Sequence, residues 1–192
     1  MKLLEDRILK DGRVLPGNVL KVDNFLNHQI DVQLLDELGK EFARLYKDCG
    51  VTKIMTIEAS GIAIACAAAK YFDYCQVVFA KKNKTSNISP DFWVSDVKSY
   101  TTGNIYKILV SKEFLRPDDR VLLLDDFMAN GAALNGLIDL VSQSGATLIG
   151  AGIAVEKAFQ PGGERIRSRG IRVESLARVK SMSPDHNIEF CD

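Results

Sequence analysis

The chain has 192 residues, and its 25 basic and 25 acidic side chains cancel at neutral pH. That length suffices for one sizeable α/β domain, which would bury roughly 70% of its unfolded surface, and the even charge leaves no electrostatic footprint for a nucleic acid. No run of 18 apolar residues and no leading signal segment is present, so neither a membrane span nor export is expected. The four scattered cysteines, Cys49, Cys66, Cys75 and Cys191, lack metal-ligand spacing and read as reduced thiols of a cytoplasmic protein.

Leu3, Leu4 and Ile8 line one face of a short amphipathic helix over Met1–Lys10, which Gly12 ends. Val14-Leu15-Pro16-Gly17 reads as a turn and Val19–Val22 as a short strand. Asp23–Ile30 is polar, a loop leading into a helix capped by Asp31. Leu35, Leu38, Phe42 and Leu45 recur at helical spacing, so Val32–Lys47 is a helix burying one face, stopped by Gly50. Lys53–Ile57 is the next strand. Glu58-Ala59-Ser60-Gly61 then leads into an Ala-rich helix over Ile62–Phe72. Ala59, Ser60 and Gly61 are small enough for a ligand to approach the backbone, although an ordinary strand-to-helix turn has the same composition.

Gln76–Ala80 is a strand, and Lys81-Lys82-Asn83-Lys84 follows it. These lysines are either a solvated loop or point charges suited to a diphosphate in a crevice at the strand ends. Thr85–Ser95 is polar and without a clear period. Phe92–Tyr100 and Asn104–Ser111 read as a hairpin across Thr102-Gly103, with Trp93 as a packing residue or interface anchor. Arg116–Asp119 is a turn.

The most informative stretch is Val121–Ala133. Val121–Leu124 reads as a strand buried on both faces, as in a parallel sheet. Asp125 and Asp126 stand where it should end, followed by small residues, Gly131, and a helix over Leu134–Ser144 that Gly145 closes. Open α/β sheets bind ligands at the carboxyl ends of strands, with anionic groups at the following helix N-terminus. Carboxylates there accept hydrogen bonds from vicinal sugar hydroxyls, and backbone amides around Ala129–Ala133 are free to approach a phosphate. An Asp-Asp pair also ends strands in magnesium-binding receiver domains and in plain turns. The Asp-x-Asp of the haloacid-dehalogenase phosphatases is absent. Thr147–Val155 is another buried strand, ending in Glu156-Lys157-Ala158-Phe159-Gln160-Pro161-Gly162-Gly163; by itself Lys157 there reads as a solvated strand end. A short basic helix at Glu164–Arg169, a strand at Ile171–Val179 and a tail with apolar Ile188–Cys191 complete the chain.

Val121–Ala133 resembles the phosphoribosyl-pyrophosphate (PRPP) motif of the type I phosphoribosyltransferases, and the resemblance extends over essentially the whole chain. Asn130 departs from it, standing where that superfamily usually has Thr; with Ala129 before it, Asn130 resembles the xanthine-using bacterial branch. The resemblance implies an α/β fold with a mostly parallel twisted sheet flanked by helices. It implies one domain over residues 1–192, with a small hood from about residues 1–30 and 180–192 and a flexible lid at about 82–104. It implies transfer of phosphoribose from PRPP to xanthine, with magnesium accompanying the diphosphate, in a homodimer. In this scheme Asp125 and Asp126 hold the ribose hydroxyls. Ala129, Asn130, Gly131, Ala132 and Ala133 hold the 5′-phosphate, and Ala59, Ser60, Gly61, Lys81 and Lys82 the diphosphate. Ser99 and Tyr100 match the lid's Ser-Tyr pair. Leu20, Asn27, Lys157 and Phe159 bind the purine: Lys157 donates to a 6-oxo group, Phe159 stacks on the base, and the Asn27 amide, which both donates and accepts, meets the polar edge. No side-chain metal ligand is assigned. No general base is evident either, since Ala129 stands where the hypoxanthine-guanine enzymes carry an acid.

Besides a generic nucleotide-binding α/β domain without catalysis, which leaves the lid segment with Ser99-Tyr100 unexplained, two competing readings remain at this level. One is the same reaction on hypoxanthine or guanine; Lys157, a donor only, disfavours a 6-amino base. The other is a PRPP- or nucleotide-sensing regulator on the same fold, which would want a basic face or an added helix-turn-helix; the neutral charge balance and the compact length argue against it.

Overall fold

A computed structural model of the protein describes residues 1–83, 89–98, 105–183 and 187–191. The chain opens with helix α1 (Lys2–Asp11), whose Leu4 and Ile8 are fully buried. Leu3, expected on the same face, is 49% exposed, because it lies one position round the helix from Leu4. Arg13–Leu15 (β1) and Val19–Lys21 (β2) form a hairpin. The turn is confined to Pro16–Asn18, where Gly17 and Asn18 take positive φ. Val14 and Leu20 face each other across it, both buried, which draws Val14 and Leu15 out of the expected turn and into a strand. Asp23–Asn27, read as loop, winds into one π-helical turn that buries Phe25 and Leu26.

Helix α2 (Val32–Leu45) is capped as expected: the Asp31 side chain accepts the Leu34 N–H at 3.1 Å. Strand β3 (Lys53–Ile57) is buried along its whole length and feeds α3 (Gly61–Ala69). Strand β4 spans Gln76–Asn83, β5 Phe92–Lys98, β6 Ile105–Ser111 and β7 Arg120–Met128. After α4 (Ala132–Ser144) come β8 (Thr147–Lys157), α5 (Gly162–Arg167), β9 (Val173–Met182) and β10 (Ile188–Phe190).

Four strands run past their expected ends, each because a neighbour continues alongside; one of them, β9, reaches Met182 beside β10. Beyond Ala80, β4 gains β6 as an antiparallel partner, pairing Lys81 with Leu109 and Lys82 with Ile108. Strand β7 continues through Asp125 and Asp126 because β8 runs beside it, pairing Phe127 with Val155 and Met128 with Glu156. The same pairing, with β9 on its other side, carries β8 to Lys157. A ladder satisfies the backbone of a polar residue as well as of an apolar one.

Among the described residues the main sheet has the order β10-β9-β8-β7-β3-β4-β6-β5. The strands from β9 to β4 are parallel, while β6, β5 and β10 join antiparallel at the edges. From β3 the chain moves outward to β4, and from β7 it moves the other way through β8 to β9. The strand order therefore reverses between β3 and β7, the place where open α/β sheets form their ligand crevice. Two hydrophobic clusters flank the sheet. One joins Ile54, Leu122 and Leu124 to α2 and α3, and also gathers Leu4, Leu20, Phe25 and Leu26 with Ile188. The other joins Met55, Leu123 and Ile153 to α4.

Candidate active site

The carboxyl ends of β3 and β7 bring the Asp125–Asp126 pair under the loop that leads into α3. Asp125 is 5% exposed and Asp126 7%. Burial and the neighbouring Asp126 charge hold the Asp125 proton well above the usual carboxylate range, with Lys82 pulling the other way. Asp125 Oδ1 accepts the Asp126 backbone N–H at 3.0 Å. A carboxylate pair held this way is an acceptor for hydroxyl groups that replace water.

The Glu58–Gly61 loop closes one side of this pair. Its Glu58–Ala59 peptide is cis, and the Glu58 carboxylate accepts the Lys82 backbone N–H. Gly61 cannot be replaced without rearrangement, because a Cβ there would lie 2.0 Å from Thr56 Oγ1. Successive strand residues point to opposite faces, so the two lysines separate. Lys82 stands over the Tyr106 ring at 5.9 Å and acts on Asp125. Lys81 sits with Val77, Phe79 and Phe114 on the other face.

On the other side lies the Ala129–Ala133 loop. Gly131 has φ 78°, which suits glycine, and caps α4. The amides at the start of any helix lack intrahelical acceptors and are available to an anion. Asn130 does not leave its whole amide to a ligand: its Oδ1 accepts the Ala132 N–H at 3.1 Å, tightening the loop. The loop rests on α5, where a Cβ at Gly162 would come 2.3 Å from the Ala129 carbonyl oxygen.

The N-terminal elements supply the roof. Asn27, on the π-helical turn, donates from Nδ2 to Asp126 Oδ2 at 2.9 Å across 99 residues of sequence. Leu20 lies buried at the base of the same segment. Lys157, at the end of β8, donates from Nζ to the Asn18 carbonyl at 2.8 Å, and burial pulls its proton affinity down. Its ammonium lies 5.9 Å from the Phe127 ring centroid. Phe159 lies in the turn beyond, 40% exposed. Phe127 was not anticipated; the signal was its position directly after the acidic pair on a strand that continues. Glu156 turns away from Lys157 and is structural. Burial would raise its pKa, but the Arg167 fork at 2.6 and 2.7 Å, with Ser175 and Arg178, holds it below the usual range. Ser99 and Tyr100 lie outside the described residues.

The sequence and the fold have counterparts among known proteins. The phosphoribosyl transferase domain family matches residues 21–174. The chain is 57% identical to a xanthine phosphoribosyltransferase of Lachnoclostridium phytofermentans, over 96% of this chain and 95% of that one. It is 50% identical to a xanthine phosphoribosyltransferase of Laribacter hongkongensis, over 99% and 100%. Among solved structures, the adenine phosphoribosyltransferase of Giardia lamblia in complex with 9-deazaadenine superposes with a TM-score of 0.77 at 23% identity, covering 93% of this chain and 98% of that one. The Rhodothermus marinus adenine phosphoribosyltransferase gives 0.72 at 20% identity, covering 92% and 98%.

Proposed function

The chain belongs to the phosphoribosyltransferase family, and from that premise we propose that it transfers the 5-phosphoribosyl group of PRPP to xanthine, giving xanthosine 5′-monophosphate and diphosphate in purine salvage. The observation that carries this reading is the 2.9 Å hydrogen bond from Asn27 to Asp126, because it sets a base-reading side chain against the ribose-holding pair.

In the proposed reaction the bond from the anomeric carbon to diphosphate breaks and a bond to a purine nitrogen forms, with inversion. The nitrogen's proton leaves to solvent. Positive charge builds on the ribose ring, as in other glycosyl transfers. Asp125 and Asp126 accept from the ribose hydroxyls and hold the ring in place. The α4 amides and the Asn130 NH2 group take the 5′-phosphate. Lys82 and the loop at Ala59, Ser60 and Gly61 stabilise the departing diphosphate; preorganised donors of this sort are worth about 2.7–4 kcal/mol each in a transition state. Of the two lysines of β4, Lys82 stands on the face that acts on Asp125 and is the one assigned to the diphosphate. Magnesium belongs to the reading as a charge-neutralising partner of the diphosphate oxygens. Among the described residues no three His, Cys, Asp or Glu side chains converge to hold a metal ion, so the diphosphate cradle would hold it through the diphosphate. Ser99 and Tyr100 are proposed to close over the reacting centre and exclude water.

The base assignment follows from donors and acceptors. Asn27 gives its Nδ2 to Asp126 Oδ2, which leaves its Oδ1 for the base, where a ring N–H of a diketo purine can donate. Lys157 can only donate, which suits a 6-oxo group, and Phe127 stands beside it as a ring to cover the base. A homodimer of cytoplasmic residence completes the proposal.

A steady-state assay with PRPP and magnesium against xanthine, hypoxanthine, guanine and adenine tests the reading. Xanthine should be preferred, and Lys157→Ala should lower kcat/KM for it about 10- to 100-fold. Preference for another purine would move the base assignment. No turnover with any base would sink the transferase reading for this chain.

A further inference from the structure

Thr56 is fully buried on β3, between the apolar Met55 and Ile57, and its Oγ1 has no hydrogen-bond partner among the described residues. An unpartnered buried hydroxyl costs about 1–3 kcal/mol, a cost that valine, of similar shape, does not carry. The hydroxyl sits beneath the diphosphate loop and beside the acidic pair. A methyl group added at Gly61 would come 2.0 Å from Thr56 Oγ1 and 3.1 Å from Asp125 Oδ1, so the two oxygens flank one small space that only glycine leaves open. Asp125 Oδ1 also accepts the Asp126 backbone N–H at 3.0 Å.

We infer that Thr56 is a positioning residue for ribose recognition, its hydroxyl donating to the Asp125 carboxylate when that group is charged and engaged with PRPP. The inference rests on the phosphoribosyl-transfer reading above. Among the described residues, Asp126, Lys82 and Tyr106 are the titratable groups that act on Asp125. Asp126 on the same strand raises its proton affinity, and Lys82 from β4 lowers it. Tyr106 from β6 stays neutral, its own ionisation pushed up by burial and by the Asp125 charge. The first turns of α3 and α4 bring only Gly, Ala, Ile, Leu and Asn. Against that background a hydroxyl donor favours the charged form. As Asp125 ionises, its proton leaves to solvent and the Thr56 O–H turns onto the freed oxygen.

PRPP affinity, measured calorimetrically with magnesium and without a base across the acid and neutral range, tests this. In the wild type, affinity should fall on the acid side as Asp125 takes up its proton. Thr56→Val should move that midpoint upward by about one pH unit, and Thr56→Ser should keep it in place. Thr56→Ala, which also lacks the hydroxyl, should behave like Thr56→Val and replaces it if that variant does not fold. Coincident wild-type and Val or Ala profiles overturn the assignment, as does a Ser variant that tracks them. A wild-type chain that binds no PRPP overturns the underlying reading and the role of Thr56 together. PRPP binding with a shifted midpoint but no turnover of xanthine keeps Thr56 and sinks only the base assignment.

Discussion

Two buried acids receive opposite treatment. Glu156 is held in its charged form by the fork of Arg167, and its burial is compensated. Asp125 faces another carboxylate and holds its proton well above the ordinary carboxylate range. Folding therefore takes up a proton between the ordinary carboxylate value and the raised one, and stability falls as pH rises through that window. Asparagine at this position carries no charge to bury. Asp125→Asn should melt at a higher temperature than the parent at neutral pH, and the gain should shrink as pH falls toward about 4. The same variant should lose about 10- to 100-fold in transfer rate, since a charged acceptor for a hydroxyl is worth about 1.5–3 kcal/mol. Calorimetry at two pH values reads the first effect and steady-state kinetics the second. A variant no more stable than the parent at neutral pH would show that Asp125 is not under strain.

At the scale of elements, the phosphate loop is shaped from below as well as by its own residues. The first residue of α5 is Gly162, and a Cβ there would press to 2.6 Å against Gly131 N, inside the loop that caps α4. Overpacking of this kind costs about 1–3 kcal/mol, here spent on the backbone amides expected to hold the 5′-phosphate. Gly162→Ala should raise KM for PRPP about tenfold and leave KM for the base near its parent value. Equal loss for both substrates would mean that α5 supports the whole crevice rather than the phosphate loop. The opposite face of α4 is close-packed too: at Gly136 a Cβ would meet Val97 at 2.6 Å, so the base of the β5–β6 hairpin lies directly on the helix.

For the whole molecule, helix α4 covers one face of β5 and β6, and Lys82 and Ile108 share that face. The other face carries Lys81 and Phe79, 36% exposed, with Phe114, 55% exposed, nearby. Phe79 and Phe114 standing together are more than the scattered apolar residues of an ordinary surface, and a second copy of the chain is the occupant the proposed homodimer requires. Sedimentation equilibrium should give twice the chain mass of 21.2 kDa, and Phe79→Glu should return the monomer. A parent chain that sediments as a monomer would remove the dimer from the proposal.

Local pattern alone determined a large part of this protein. Runs of apolar residues marked the parallel strands, the three- and four-residue spacing marked α2, and the Val121–Ala133 motif marked the crevice, because each signal is carried by neighbours in sequence. The ends of strands were not legible. Polar Lys81, Lys82, Asp125 and Asp126 remain in strands because β6 and β8 pair with them, and hydropathy carries no record of a partner. Nor could the sequence separate Lys81 from Lys82, since that depends on which face of β4 looks toward Asp125. The contacts that assemble the site span great distances along the chain: 99 residues from Asn27 to Asp126 and 139 from Asn18 to Lys157. Strand order and register decide those meetings, and the same register places Thr56 beside the acidic pair, where no local pattern announces it.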